Sequence, residues 1–252
     1  MAILVTRPGK QGEALCQLLN QHGFATLHVP MIEMCPGRDL NTLPNLIKGL
    51  SPCDGILAVS KSAVHYARHA LNNVGFHWRD DIHYFAVGAK TAQQLSQCTE
   101  CGVAYAFPHE NSEGLLAHPN IRSFTGKKML ILRGNGGRNL IAQQLTTRGI
   151  DAEFVETYQR NPIQYDMPSQ VSIWKRAGIS TIIVTSGEIL RYLVESVPKN
   201  DHNWLLEQQL VTISARISQQ ALTYGWHNVT HATRADNMSI LAKLCSLRDE
   251  QD

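Results

Sequence analysis

The 252-residue sequence has no unbroken apolar run near the roughly eighteen residues that a membrane span requires. No basic, then apolar, leader precedes the first strand-like segment, so export is not expected and a cytoplasmic location is. The six cysteines are few and scattered, which fits reduced thiols better than a disulfide framework. Charge is short as well: 23 Lys and Arg against 21 Asp and Glu leave a net +2. That is too little for the concentrated basic face a nucleic-acid partner demands. Metal-ligand spacing is incomplete. Cys98-x-x-Cys101 has no second pair, whereas a closed zinc site needs four ligands. His65 and His69 are one helical turn apart without an HExxH pattern, and read as surface histidines. No metal or cofactor is expected. The tail LRDEQD is polar and expected to fray.

What the sequence does contain, first of all, is a repeat. Displacing it on itself by about 126 positions aligns four blocks without a gap. ILVTRPGKQGEALCQLLNQHGF, from Ile3, falls on MLILRGNGGRNLIAQQLTTRGI, from Met129, with Arg7 over Arg133. GILAVSKSAVHYARHAL, from Gly55, falls on TIIVTSGEILRYLVESV, from Thr181, with Ser60 over Ser186. FAVGAKTAQQL falls on VTISARISQQA, and NSEGLLAHP on NMSILAKLC. A duplicated unit predicts two similar lobes with a cleft between them, where small ligands commonly bind.

Each block opens with four or five apolar, often β-branched, residues. A small polar or glycine-containing turn follows, then a stretch with apolar residues at helical spacing. Continuous apolar strands alternating with amphipathic helices indicate parallel sheets covered on both faces. About eight such strands fit two α/β lobes of Rossmann-like or flavodoxin-like type.

The turns carry the chemistry. Thr6-Arg7, Ser60-Lys61-Ser62, Gly88-Ala89-Lys90-Thr91, Arg133-Gly134-Asn135, Thr185-Ser186-Gly187 and Ser214-Ala215-Arg216 all follow carboxyl ends of expected strands. In open α/β sheets that edge holds the ligand. Each turn precedes a helix and offers N–H donors with a hydroxyl or amide, so Ser60 and Ser186 are also natural helix caps. Together the turns suit a ligand with many carboxylates. The Gly134-Asn135-Gly136-Gly137 turn resembles a dinucleotide fingerprint, but Asn139 stands where the third glycine belongs, and no Walker lysine follows. Backbone N–H groups flanked by Arg133 and Arg138 suit an anion, carboxylate or phosphate.

Six stretches, ILVTRP, HVPMIEMCPG, YFAVGAKTA, ILRGNGGR, VETYQR and IIVTSGEIL, make the sequence resemble the uroporphyrinogen-III synthase family in its proteobacterial form. The resemblance runs from about Ile3 to Leu244. It implies two α/β lobes joined by a two-stranded antiparallel linker. The first lobe would comprise 1–33 with 164–252, the second 38–155, and the linker strands 34–37 and 156–163. Each lobe then mixes elements of both repeats.

The implied reaction takes hydroxymethylbilane, a linear tetrapyrrole with eight carboxylates, and closes it with loss of water and inversion of the last ring. Ring A loses its hydroxyl to give an azafulvene, and ring D attacks through its substituted carbon. The resulting spiro intermediate fragments and recloses inverted. Pyrrole nitrogens supply the push, so orientation is the main catalytic term, helped by a general acid at the leaving hydroxyl. The resemblance makes Tyr158 the candidate donor. It matches Ser60, Thr91, Thr185 and Ser186 to family positions lining the cleft; the turns read above add Arg7, Ser62, Gly88, Lys90, Arg133, Gly134, Asn135, Gly136, Gly187, Ser214 and Arg216 as candidate substrate-binding residues. Many family members have a Gly-Pro-Thr-Thr-Ala turn where this sequence has Ser214 to Ser218, so Arg216 replaces a hydroxyl there. A monomer is expected, with transient contact to the enzyme that makes hydroxymethylbilane. Two other classes stay open from the residues alone: a non-catalytic binding module for a polycarboxylate, and a nucleotide-dependent enzyme using the 133–138 turn.

Overall fold

The computed structural model describes residues 1–249. It divides into two compact units, Met1–Met34 with Asn161 onward, and Cys35–Arg160. The first unit is built on strands β1 (Ala2–Val5), β2 (Ala25–His28), β9 (Ile179–Val184), β10 (Gln209–Thr212) and β11 (Val229–His231). They form one sheet in the order β11-β10-β9-β1-β2, every pair parallel. Its helices are α1 (Gly9–Gln21), α8 (Met167–Arg176), α9 (Gly187–Ser196), α10 (His202–Glu207), α11 (Ala215–Thr223) and α12 (Asn237–Asp249), with a 3₁₀ turn at Lys199–Asp201. The polar tail enters α12 as far as Asp249; residues 250–252 lie outside the described residues.

The second unit contains β4 (Gly55–Ala58), β5 (His83–Ala86), β6 (Val103–Tyr105) and β7 (Lys128–Gly134). Its helices are α2 (Leu43–Lys48), α3 (Lys61–Asn73), α4 (Ala89–Thr99), α5 (Ser112–Ala117), α6 (Pro119–Arg122) and α7 (Leu140–Thr146). With β3 (Ile32–Pro36) and β8 (Asp151–Pro162), these strands form the order β3-β8-β7-β4-β5-β6. The β7–β8, β4–β7, β4–β5 and β5–β6 pairs are parallel. β3 lies antiparallel to β8: Ile163 N–H bonds Met31 O and Gly37 N–H bonds Thr157 O. Among the described residues eleven strands thus replace the eight or so read from the sequence. The additions are three- to five-residue strands, whose apolar patterns are too short to stand out.

The repeat is visible in the elements. β2 and β8 begin 126 residues apart, as do β1 and β7, and β5 and β6 are offset from β10 and β11 by the same amount. The strands form for the reason the sequence suggested. Ile3, Leu4 and Val5 are 0% exposed, as are Ile56, Leu57 and Ala58. Both faces of each sheet are covered, so no polar alternation survives. On the first unit, Trp174, Ile182, Leu190, Leu210 and Trp226 fill one face, and Ile3, Leu15, Leu19, Ile240 and Leu244 the other. In the second unit, Leu57, Phe85, Leu115, Ile131 and Leu145 belong to one cluster. At the amino end of β4, the 4%-exposed Asp54 accepts N–H groups from Ser51, Lys127 and Lys128 at 2.7–2.9 Å. That buried carboxylate fastens two loops to the start of the sheet.

Candidate functional site

Because the strands named above are parallel, the turns that follow them gather at one carboxyl edge in each unit. On the second unit, that edge carries Ser60, Ser62, Gly88, Lys90, Thr91, Arg133, Gly134, Asn135, Gly136 and Tyr158. On the first it carries Arg7, Thr185, Ser186, Gly187, Ser214 and Arg216.

Tyr158 sits on β8 and is 6% exposed, so its ring is packed, not hanging in solvent. Three neighbours fix it. A Cβ at Gly134 would lie 2.6 Å from Tyr158 Cζ, so the phenol rests directly on glycine backbone and no other residue fits there. The Tyr66 ring is stacked alongside at 6.2 Å between centroids, 21° from parallel. Ser60 Oγ donates to the phenolic oxygen at 3.3 Å while accepting Ala63 N–H at 3.2 Å as the cap of α3. With the serine proton directed at the tyrosine oxygen, the phenol's own proton is free to face a ligand. Gly134 pairs with Tyr158 only after a register shift at Arg133, and that irregularity brings the two together.

The 133–138 turn differs from its sequence reading in one respect. It was expected to present N–H groups at a helix N-terminus, but α7 begins only at Leu140, and Asn139 makes no side-chain cap. Asn139 Oδ1 instead accepts Arg133 NH1 at 2.9 Å. Asn135 is engaged too: its side chain brackets the Arg160 backbone, and its N–H bonds Tyr158 O. Arg133 is 9% exposed, lies over Phe154 at 4.3 Å, and its guanidinium is pushed below its ordinary value by burial. Gly136 is open, with nothing within 4 Å of a Cβ.

Gly88 is the uncapped start of α4, and the carboxylate of Glu110 lies against it, where a Cβ would stand. Thr91 is 7% exposed within the helix, whereas Lys90 is exposed. On the first unit, Ser186 and Ser214 cap α9 and α11 by accepting Ile189 and Ile217 N–H at 3.1 and 3.4 Å. Gln220 reaches across to Gly187, donating Nε2 to its carbonyl at 3.2 Å. Arg216 is exposed, and Thr185 is half-buried. Arg7 bonds Asn237 Oδ1 at 2.8 Å and Gln11 Oε1 at 2.6 Å, and burial pushes its guanidinium down as well.

The family model described as "Uroporphyrinogen-III synthase HemD" matches residues 13–242. The chain belongs to the uroporphyrinogen-III synthase family. Uroporphyrinogen-III synthase of Salmonella typhimurium is 38% identical over 246 residues, 97% of this chain and 100% of that protein. The Escherichia coli protein matches to the same extent. The fold is shared with uroporphyrinogen-III synthase of Thermus thermophilus, at a TM-score of 0.68 and 17% identity over 99% of both chains. The Helicobacter pylori structure gives 0.60 and 16% over 98% of both.

Within this synthase family member, the sequence reading passed over Tyr66 and Glu110. Tyr66 was assigned no role. Its place six residues beyond the Ser60 cap, on the helix that begins there, was the available signal. Glu110 had none, because its loop meets Gly88 only through the pairing of β5 with β6. Cys98 and Cys101 are free thiols, with Cys98 pushed up by burial against the opposing pull of Arg68. Among the described residues no three His, Cys, Asp or Glu side chains cluster, and no helix is long and apolar enough to cross a membrane.

Proposed function

We propose that this protein cyclises hydroxymethylbilane to uroporphyrinogen III with loss of water and inversion of ring D, the reaction for which its family is named. The observation that carries the reading is the buried Tyr158 phenol, held on Gly134 and oriented by Ser60 at the carboxyl edge of a parallel sheet. A phenol so placed acts as general acid. It protonates the departing ring A hydroxyl, which leaves as water and yields the azafulvene. Ring D attacks through its substituted carbon, and the spiro intermediate opens and recloses with that ring turned over. The proton released as the last pyrrole regains its aromaticity restores the phenol, so atoms and charge balance.

Because the unassisted chain closes without inversion, the protein must chiefly hold the conformation in which inversion is faster. The polar turns of each edge supply donors for the eight carboxylates, and their spread explains how a chain of net charge +2 handles so anionic a substrate. The chain works as a cytoplasmic monomer that receives its short-lived substrate in transient contact with the enzyme that makes it. The test is incubation with freshly generated hydroxymethylbilane, then chromatography of the oxidised porphyrin isomers. Predominantly isomer III supports the synthase. Isomer I alone, at the rate seen without protein, would leave a carboxylate-binding module.

A further inference from the structure

The contacts around Tyr158 differ in what each can fix. Ser60 Oγ reaches the phenolic oxygen at 3.3 Å, long for an O–H···O bond, so it directs a proton without setting the plane of the ring. The Gly134 backbone meets the hydroxyl end, nearest Cζ and Cε2. The Arg160 guanidinium lies 6.0 Å from the ring centre, at the limit of cation–π reach. Tyr66 lies along the ring itself, 21° from parallel and within the range of offset stacking. It meets the edge of His65 in turn, at 5.4 Å and 85°. Burial, and then the nearby Cys35, push the Tyr66 phenol above its ordinary value, so the ring it presents is neutral.

Ser60 caps α3 and Tyr66 lies six residues on within it, so one helix touches the phenol at its oxygen and along its ring. The repeat supplies a control. At the 126-residue offset Ser186 matches Ser60 and Tyr192 matches Tyr66, both at α9, but Ile32 stands where Tyr158 does. Ile32 is buried in an apolar cluster, and Tyr192 has the Arg191 guanidinium over its ring at 4.5 Å. The serine and tyrosine of the helix are thus present in both units, and in the second they meet a phenol.

We infer that Tyr66 is a positioning residue for Tyr158, acting through its ring and not its hydroxyl to set the plane in which the phenol delivers its proton. This rests on the synthase reading and adds a residue to its machinery.

The test is steady-state isomer III formation and thermal melting of the full chain with Tyr66→Leu, Tyr66→Phe and Tyr192→Leu. Tyr66→Leu should lower kcat about 10- to 100-fold and keep KM within about threefold, since a misplaced acid slows the chemical step. Tyr66→Phe keeps the stacked ring and should hold kcat within about twofold of the wild-type value. Tyr192→Leu should leave kcat unchanged while lowering Tm as much as Tyr66→Leu, because both tyrosines are half-buried. In a Tyr158→Phe background, Tyr66→Leu should cost no further kcat, because it acts through the phenol. An unchanged kcat in Tyr66→Leu, an equal loss in Tyr192→Leu or in Tyr66→Phe, or full additivity with Tyr158→Phe would overturn the assignment. Should Tyr66→Leu fail to fold, Tyr66→Met removes the ring with an unbranched side chain and is read the same way. A second readout is independent of catalysis. In the chain carrying tyrosine isotope-labelled at Cζ, the Tyr158 resonance, identified by its loss in Tyr158→Phe, should shift more in Tyr66→Leu than in Tyr66→Phe. Equal shifts would overturn the positioning role even if isomer III forms. If no isomer III forms but the resonance follows the Tyr66 ring, the reaction assignment fails and the positioning stands.

Discussion

Two buried charges in the same unit are treated in opposite ways. Asp54, at the amino edge of the sheet, is closed on every side by Ser51, Lys127 and Lys128 N–H groups. Arg133, at the carboxyl edge, has one amide, one aromatic face and a cavity. A charge that serves the fold is fully hydrogen-bonded within it, because an open valence would cost stability at all times. A charge left incomplete and held in place by neutral neighbours is the arrangement that a ligand would complete. On the proposed function, the carboxyl edge would trade stability for function and the amino edge would not.

The largest effect should come from Tyr158→Phe. Removing the phenolic proton should cut kcat for isomer III about 100-fold or more with little change in Tm; a loss below about threefold would remove Tyr158 from the mechanism. Gly134→Ala, which drives a methyl into the phenol ring, should show a kcat loss of the same kind through displacement alone. At the other edge, Asp54→Ala should strand three N–H groups, at a cost of about 3 kcal/mol and on the order of 10 °C in Tm. Its kcat should be unchanged below the melting range. If Asp54→Ala lost activity without losing stability, the contrast between the edges would collapse.

A finer contrast lies between two serines at equivalent repeat positions. Ser60 and Ser186 have nearly the same backbone angles, φ −158° and −154°, and each caps a helix. Alanine at either should cost about 1 kcal/mol of stability. Only Ser60→Ala should lower kcat, because Ser60 reaches the Tyr158 phenol proposed as the acid, and Ser186 has no such partner among its hydrogen bonds. Equal kcat losses in the two variants would show that helix stability, not phenol orientation, is what matters. The smallest effect concerns pH. Asp236 accepts Ser239 N–H at 2.9 Å, and that bond holds its carboxyl below the usual carboxylate range. A depressed folded value contributes stability above the unfolded value of about 3.9 and loses it as pH falls through the folded one. Tm measured between pH 5 and pH 2 should therefore fall less steeply in Asp236→Asn than in the wild-type chain.

Much of the fold was legible from local pattern. The runs Ile3–Val5, Ile56–Ala58 and Ile182–Val184 are buried strands as expected, and the 126-residue offset survives in strand positions. The short strands β6 and β11 were not legible. Three residues carry too little periodicity, and their membership depends on a neighbour's free edge. Within the site, Ser60, Ser186 and Ser214 were recognisable as caps because a cap is a contact between residues three apart. The glycine turn was recognised, but not that Asn139, the residue before α7, would turn its side chain to Arg133 instead of capping the helix.

The sequence by itself determined the strands, the helix starts and the places where backbone must pass without a side chain, since each depends on a few adjacent residues. Only the tertiary structure decided what those places face. Ser60 and Tyr158 are 98 residues apart, and Arg7 and Asn237 are 230 apart. Such pairs meet because parallel strands, each buried on both faces, align their carboxyl ends side by side. That alignment is a property of the packed sheet and not of any one segment.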